Sequence, residues 1–304
     1  MFTLNGNVGA KARIVKRDSG LCVLERQGLC DKKWLKEASL HFIYWIENLI
    51  VALRYLNYTC STPQEDLALE ESIYLSVEEG ASPSTWRVWQ AAVPGVILGT
   101  GQEAAREANL DASRAENVPV LRRHSGGGAV VIGPGAINFS AFYRFTDLAG
   151  LETIRGAMYA SLAPLVTMLE SWGMTMKEAG LSDLAVLCAD GTLRKIAGNS
   201  QARKRRSVVV HGTLLADPDW ERIERLLRFP SSIPDYRAGR GHREFLTSLK
   251  ECGAAFDFET FARELVAFLP TGTELTSVPS DEEMSRACDL VSEKYGRDEW
   301  NFRR

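Results

Sequence analysis

Three consecutive glycines stand between two apolar runs in Arg122-Arg123-His124-Ser125-Gly126-Gly127-Gly128. Glycine loses more conformational freedom on folding than any other residue, so a run of three is costly in a plain turn. It is useful where the main chain must come close to a ligand. Backbone N–H groups in such a loop can form an anion-binding concavity, and the preceding guanidiniums suit phosphate or carboxylate, with Arg123 as the clamp. Seventy residues on, Lys195-Ile196-Ala197-Gly198-Asn199-Ser200-Gln201 sets one ammonium at the end of a predicted strand, beside a second glycine-containing turn. Together the two segments describe a site that holds a phosphorylated or carboxyl-activated substrate and stabilises charge during acyl transfer.

The rest of the chain bounds this reading. A length of 304 residues allows one large domain with an appendage. With 45% hydrophobic residues, 25% charged residues and a net charge of -3, the chain has the balance of an ordinary globular protein. That balance argues against broad binding to nucleic acid or to a membrane surface. Its six cysteines (22, 30, 60, 188, 252 and 288) form no C-x-x-C pair, which fits reduced thiols in a cytoplasmic protein rather than a disulfide framework or a zinc site. The apolar stretch from Leu40 to Leu53 is too short to span a membrane, and the N-terminus has no signal-peptide pattern.

Residues 1–53 carry no recognisable chemistry and read as an N-terminal extension, or as the product of a start codon assigned too far upstream. From Arg54 the pattern is regular. Helices are expected over 66–77, 103–108, 154–172, 219–227, 242–251, 258–269 and 281–295. Strands are expected over 86–89, 95–99, 118–121, 184–188, 194–196 and 208–215. Two arms, 129–132 and 138–145, are expected to form a hairpin through Gly133-Pro134-Gly135, and a second hairpin turns about Asp190-Gly191. Without a strict βαβ rhythm, the expected class is α+β: a mixed, largely antiparallel sheet flanked by helices.

Several residues have a bland reading beside the functional one. Gly99-Thr100-Gly101-Gln102-Glu103-Ala104 imitates a dinucleotide fingerprint, but the acidic residue expected about 20 positions on is replaced by the two arginines. His211 and His124 could each be a hydrogen-bonded core histidine or a general base, which needs a carboxylate or substrate in reach. Asp183 could be a simple turn residue, and Cys188 a buried, inert thiol. The run Arg203-Lys204-Arg205-Arg206 reads as a solvated loop that could draw an acidic partner.

Taken in order, "DLALEESI", "VILGTGQ", "RRHSGGGAVV", "GLSDLAV", "RKIAGNSQ" and "VVVHGTLL" resemble the lipoate-protein ligase A and octanoyl/lipoyl transferase family, over about residues 54–302. The resemblance implies a biotin/lipoate protein ligase type of catalytic domain at 54–304, without a C-terminal accessory domain. It implies that Arg123, Ser125 and Gly126, Gly127, Gly128, Ala129, Val130 and Val131 line the nucleotide and acyl site. It further implies that Lys195 contacts the acyl carbonyl and the phosphate, with Arg122, Asn138, Asp183, Gly198 and His211 as additional candidates and Asp183 the candidate for Mg²⁺. The substrates implied are ATP with Mg²⁺ and lipoate or octanoate. The implied partners are lipoyl-domain proteins (the E2 of 2-oxoacid dehydrogenases and the glycine-cleavage H protein) and a separate accessory subunit. Many members carry His-Asp-x-Gly-Asn after the glycine loop; here the stretch is Ile132-Gly133-Pro134-Gly135-Ala136-Ile137-Asn138. Cysteine-dependent transferases carry a nucleophile ahead of the motif lysine, where this chain has Glu178-Ala179-Gly180-Leu181-Ser182. The leading expectation is therefore an ATP-dependent ligase, with a transferase or a non-catalytic lipoate-binding subunit as alternatives.

Overall fold

The computed structural model describes the backbone of 12–16 and 22–26, and residues 53–180, 182–255 and 257–303. The expected apolar stretch at 40–53 lies almost wholly outside the described residues. Two compact units divide the chain, Met1–Tyr44 and Trp45–Arg304. In the first, β1 (Ala12–Lys16) and β2 (Cys22–Arg26) form an antiparallel pair.

The described residues of the second unit form two sheets. Its large sheet has eight strands in the order β13-β3-β4-β8-β12-β11-β10-β9. These are β3 (Arg54–Asn57), β4 (Thr85–Trp89), β8 (Ala136–Arg144), β9 (Met176–Ala179), β10 (Asp183–Leu187), β11 (Leu193–Arg203), β12 (Ser207–Leu215) and β13 (Glu274–Thr276). Within this sheet only the β13–β3 and β3–β4 pairs are parallel. The small sheet places β5 (Gly95–Leu98) between β6 (Val120–Arg122) and β7 (Val130–Ile132). This is the mixed, largely antiparallel α+β architecture expected.

The Pro63–Glu79 helix joins the sheets. Thr62 and Glu65 close its N-terminus in a capping box, and Gly80 ends it at φ 82°. Leu67, Ile73 and Tyr74 pack against Ile97, Leu121 and Ile132 of the small sheet and Phe142 and Val209 of the large one. Each such side chain fully buried contributes roughly 1.5–3 kcal/mol. On β12 and β9 rests a second long helix, Ile154–Ser171.

Three expectations are corrected. The arms on either side of Gly133-Pro134-Gly135 do not pair: β7 bonds β5 in the small sheet and β8 bonds β4 and β12 in the large one. The turn carries the chain from one sheet to the other. β11 does not end at Ile196 but runs to Arg203, so Gly198 to Ser200 lie within a strand. The helix expected over 242–251 covers only His242–Phe245. Leu246 is extended because it bridges Lys195, and the Thr247 N–H donates to the Lys195 carbonyl at 2.9 Å.

Candidate functional site

Strand register builds the floor of a cavity. Trp89 lies opposite Asn138, Asn138 opposite Thr213, Thr213 opposite Gly198, and Gly198 opposite Asp183. Residues directly opposite share a face, so one row crosses β4, β8, β12, β11 and β10. Two residues along, Arg87, Ser140, His211 and Ser200 make a second row on that face. Above the rows is a cavity of about 140 Å³, walled on its apolar side by Leu67, Ile97, Val130 and Ile132. Glu70, Arg123, Asn138, Asp183, Lys195 and His211 line its polar side. A larger hollow of about 730 Å³ lies against Gly101, Glu103, Arg106 and Ser231, and Gly127 and Gly128 border both spaces.

Lys195 reaches the cavity through an irregularity that its sequence does not announce. In a regular strand, residues 195 and 198 would point to opposite faces. The pairing slips, however: Ala185 opposes Lys195 while Leu184 opposes Ala197, so Ile196 is an extra residue in β11. This bulge turns Lys195 to the face of Gly198. A Cβ on Gly198 would lie 2.8 Å from Lys195 Nζ, so glycine there leaves room for the ammonium. Lys195 Nζ pairs with Asp183 Oδ1 at 2.8 Å, and the Tyr236 hydroxyl donates to Asp183 Oδ2 at 2.7 Å.

The glycine loop is organised from within by Arg123. Its Nε donates to Ser125 Oγ (3.0 Å) and the Gly126 carbonyl (3.1 Å), its Nη2 to the Gly128 carbonyl (2.9 Å), and its Nη1 to the Ile97 carbonyl (3.3 Å). Burial pushes this guanidinium down to about 10, against the pull of Glu70. The Gly126 and Gly128 carbonyls thus face the arginine, and among the described residues the N–H groups of Gly126, Gly127 and Gly128 have no protein acceptor. Gly127 sits at φ 85°, and a Cβ on Gly99 would lie 2.1 Å from the Gly127 carbonyl oxygen. Gly99→Ala is accordingly expected to displace the loop, lowering stability by about 1–3 kcal/mol and weakening ligand binding. Thermal melting with and without ligand checks this.

Four buried side chains make a continuous hydrogen-bonded chain. Ser125 Oγ lies 2.5 Å from His211 Nε2, His211 Nδ1 lies 2.6 Å from Glu70 Oε1, and Ser140 Oγ donates to Glu70 Oε2 at 2.6 Å. Burial alone would raise the Glu70 carboxyl, but His211 and its other partners hold it down at about 2. The chain ties the glycine loop to β12, β8 and the Pro63 helix. Sequence reasoning gave His211 no partner and passed over Glu70 and Ser140. A signal was present: Glu70 falls on the buried stripe Leu67–Tyr74–Val77 at helical spacing, where a carboxylate requires a partner.

Not every expected residue reaches the cavity. Ser125, Gly126 and Val131 are absent from its wall, whereas Gly127, Gly128, Ala129 and Val130 form part of it. Arg122 is fully buried behind the loop and donates to the Gly99 (2.9 Å) and Gln102 (2.6 Å) carbonyls, which corrects its reading as an anion ligand. His124 stacks on Tyr74 with ring centroids 5.7 Å apart, and burial pushes it down to about 4, so it is neutral and part of the core. Cys188 is half-buried outside the cavity wall. Asn138 accepts the Thr213 hydroxyl at 2.9 Å through Oδ1, and its Nδ2 has no partner among the described residues. Among the described residues no three His, Cys, Asp or Glu side chains gather as a metal site. Both Asp183 oxygens are engaged, so that residue by itself does not make one.

The sequence that folds this way matches a known family. Residues 62–269 fit the family model of the lipoyl protein ligase A/B catalytic domain. The chain belongs to that family. Octanoyltransferase LipM of Symbiobacterium thermophilum is 28% identical over 259 residues, which span 79% of this chain and 94% of the transferase. Lipoate–protein ligase 1 of Staphylococcus aureus is 25% identical over 250 residues, spanning 82% of this chain and 72% of the ligase. A chain from the structural analysis of the Thermoplasma acidophilum lipoylation system, a bipartite lipoate protein ligase and its E2 lipoyl domain, superimposes with a TM-score of 0.71 at 22% identity, over 83% of this chain and 96% of that one. A lipoate-protein ligase A bound with ATP gives 0.67 at 22% identity, over 83% and 98%. The protein is thus an enzyme of the lipoate ligase and octanoyltransferase group. No helix among its described residues is long and apolar enough to cross a membrane.

Proposed function

We propose that this enzyme is an ATP-dependent lipoate–protein ligase, which forms lipoyl-AMP or octanoyl-AMP and passes the acyl group to a lysine of a lipoyl-domain protein. The observation that carries this reading is the glycine loop beside Lys195. Its unpaired N–H groups suit a phosphate, which adenylate chemistry requires and direct transfer between carrier thioester and amine does not. Among the described cysteines (60, 188, 252 and 288), none lines the cavity to serve as an acyl carrier.

In the first step the substrate carboxylate attacks the α-phosphorus of ATP and pyrophosphate leaves. In the second, the neutral amine of the acceptor lysine attacks the acyl carbon, AMP departs with the electron pair of the broken C–O bond, and the proton lost by the amine passes to solvent. Lys195 exchanges Asp183 for the acyl carbonyl and phosphate oxygens, where negative charge grows on the phosphoryl oxygens in the first step and on the acyl oxygen and departing AMP in the second. Asp183 stays in place through Tyr236. Leu67, Ile97, Val130 and Ile132 hold the apolar acyl chain, and the amide nitrogen of Asn138 is placed to donate to a substrate oxygen. Mg²⁺ would offset triphosphate charge, held mainly by phosphate oxygens with Asp183 as the protein ligand within reach. The acceptors are the E2 of 2-oxoacid dehydrogenases or the glycine-cleavage H protein, and a separate accessory subunit is a candidate partner, as in the bipartite Thermoplasma ligase.

The test is the intact mass of an apo lipoyl domain after incubation. One arm holds lipoate and MgATP, with accessory subunit added where one exists; the other holds octanoyl-acyl carrier protein without ATP. Modification in the ATP arm is expected, and Cys188→Ser should leave it within about twofold, as for a thiol outside the site. Modification confined to the carrier arm, or in neither, overturns the proposal.

A further inference from the structure

Two doubled charges in the sequence are divided in the same way. Glu70 and Glu71 are neighbours on the Pro63 helix. Glu70 turns to His211, whereas Glu71 accepts from Lys294 Nζ (2.6 and 2.8 Å) and the Tyr295 hydroxyl (2.6 Å). Arg122 and Arg123 are neighbours at the end of β6. Arg123 orders the glycine loop, whereas Arg122 Nε donates to the Trp300 (3.2 Å) and Asn301 (3.1 Å) carbonyls. In each pair one charge serves the site and the other holds the same C-terminal stretch, Lys294 to Asn301.

The main chain of Arg122 completes the attachment. β6 is an edge of the small sheet, and an edge strand leaves polar groups unpaired. Here side chains replace the missing strand: the Arg122 N–H donates to Asn301 Oδ1 at 3.0 Å, and the Arg122 carbonyl accepts from Trp300 Nε1 at 2.7 Å. Asn301 is itself held, its Nδ2 donating to the Tyr295 carbonyl at 3.0 Å. From Arg122 the connection runs to the turn at Gly99, which packs against the Gly127 carbonyl, and the Thr100 N–H donates to the Ser125 carbonyl at 2.7 Å. No residue from 294 to 301 lines the cavity.

We infer that Trp300 and Asn301 are positioning residues for the acyl-transfer site, bracing the glycine loop from behind through Arg122. The inference rests on the proposed function for its catalytic consequence but not for its structural one. Small displacements of groups that hold a substrate are costly to reaction, so a brace outside the cavity is able to set the rate.

Hydrogen exchange of the peptide covering Leu121–Ile132, measured in the full chain without ligand, tests the brace directly. Asn301→Leu removes both the acceptor for Arg122 and the donor to Tyr295 at similar size, and Trp300→Phe removes the indole N–H while keeping an aromatic ring beneath Lys294. Both are expected to speed exchange at Gly126–Gly128 and to weaken a non-hydrolysable lipoyl-adenylate analogue about tenfold or more. Asn301→Asp keeps the acceptor for Arg122 but loses the donor to Tyr295, so it should fall between wild type and Asn301→Leu on both readouts. Phe261→Leu, in the core beside Trp172, serves as a destabilised control. Its melting temperature should fall while loop exchange and analogue affinity hold. Unchanged loop exchange in Asn301→Leu, or an equal change in Phe261→Leu, overturns the inference. Failure of the wild type to bind the analogue, with loop exchange responding as expected, would count against the proposed function and leave the brace standing.

Discussion

Lys195→Ala is expected to abolish acyl transfer, by about a thousandfold or more in kcat, while leaving the fold intact. The two effects separate because of where the ammonium sits. Its ion-pair partner is Asp183, at 25% and 11% side-chain exposure, a partly solvated pair that contributes about 1 kcal/mol or less. Asp183 keeps its hydrogen bond from Tyr236 after the substitution, so no carboxylate is stranded. Gly198 gains space rather than losing it. The substrate, by contrast, loses the cation facing its carbonyl and phosphate in a cavity with apolar walls, where one preorganised donor matters most. Lys195→Arg should not rescue, because the planar guanidinium fork is wider than the ammonium and must fit against the backbone of Gly198. Single-turnover transfer to an apo lipoyl domain, alongside thermal melting, measures both effects. Activity within a few-fold of wild type would remove Lys195 from the mechanism.

How much of this was legible in the chain depends on the range over which each feature is determined. The fold class and the long helices follow from local periodicity, although the helix expected from Asp66 begins at Pro63, behind a capping box of Thr62 and Glu65. The two motif segments could be paired from residue chemistry alone, and the structure brings Lys195 and the Gly127–Val130 part of the loop to one cavity. What escaped is what depends on register. The bulge at Ile196 that turns Lys195 onto the face of Gly198 leaves no compositional trace, because it arises from pairing between β10 and β11. Pairing errors also account for the false hairpin about Gly133-Pro134-Gly135, since alternation within β7 and β8 does not reveal that their partners lie in different sheets. Arg122 was misread for a related reason. Nothing local distinguishes it from Arg123, and only its partners in the C-terminal stretch, 179 residues on at Asn301, show which of the two lies behind the loop.

Glu70→Ala is expected to be the most damaging single change in the hydrogen-bonded chain behind the glycine loop. It strands His211 Nδ1 and the Ser140 hydroxyl, two buried groups whose loss of partner costs about 1–3 kcal/mol each, and a melting temperature lower by on the order of 10 °C follows. Glu70→Gln keeps an acceptor for His211 and should cost about 1 kcal/mol. The pair also separates two acid-sensitive contributions. The Glu70 carboxyl is held at about 2 against an ordinary 4.5, so its share of stability is complete above pH 4.5 and disappears as pH falls toward 2. His124 is pushed by burial to about 4 from an ordinary 6.5, so the unfolded chain takes up its proton first and that share fades as pH falls from 6.5 toward 4. Melting temperature against pH should therefore fall in two overlapping stages in the wild type. Glu70→Gln should shrink the lower stage, part of which the likewise lowered Glu71 and Glu283 retain, and keep the upper one, since the amide does not titrate. His124→Phe, which retains an aromatic ring against Tyr74, should do the reverse. If wild type and Glu70→Gln fall in parallel below pH 4.5, the carboxylate is not the group whose ionisation holds His211 and the loop in place.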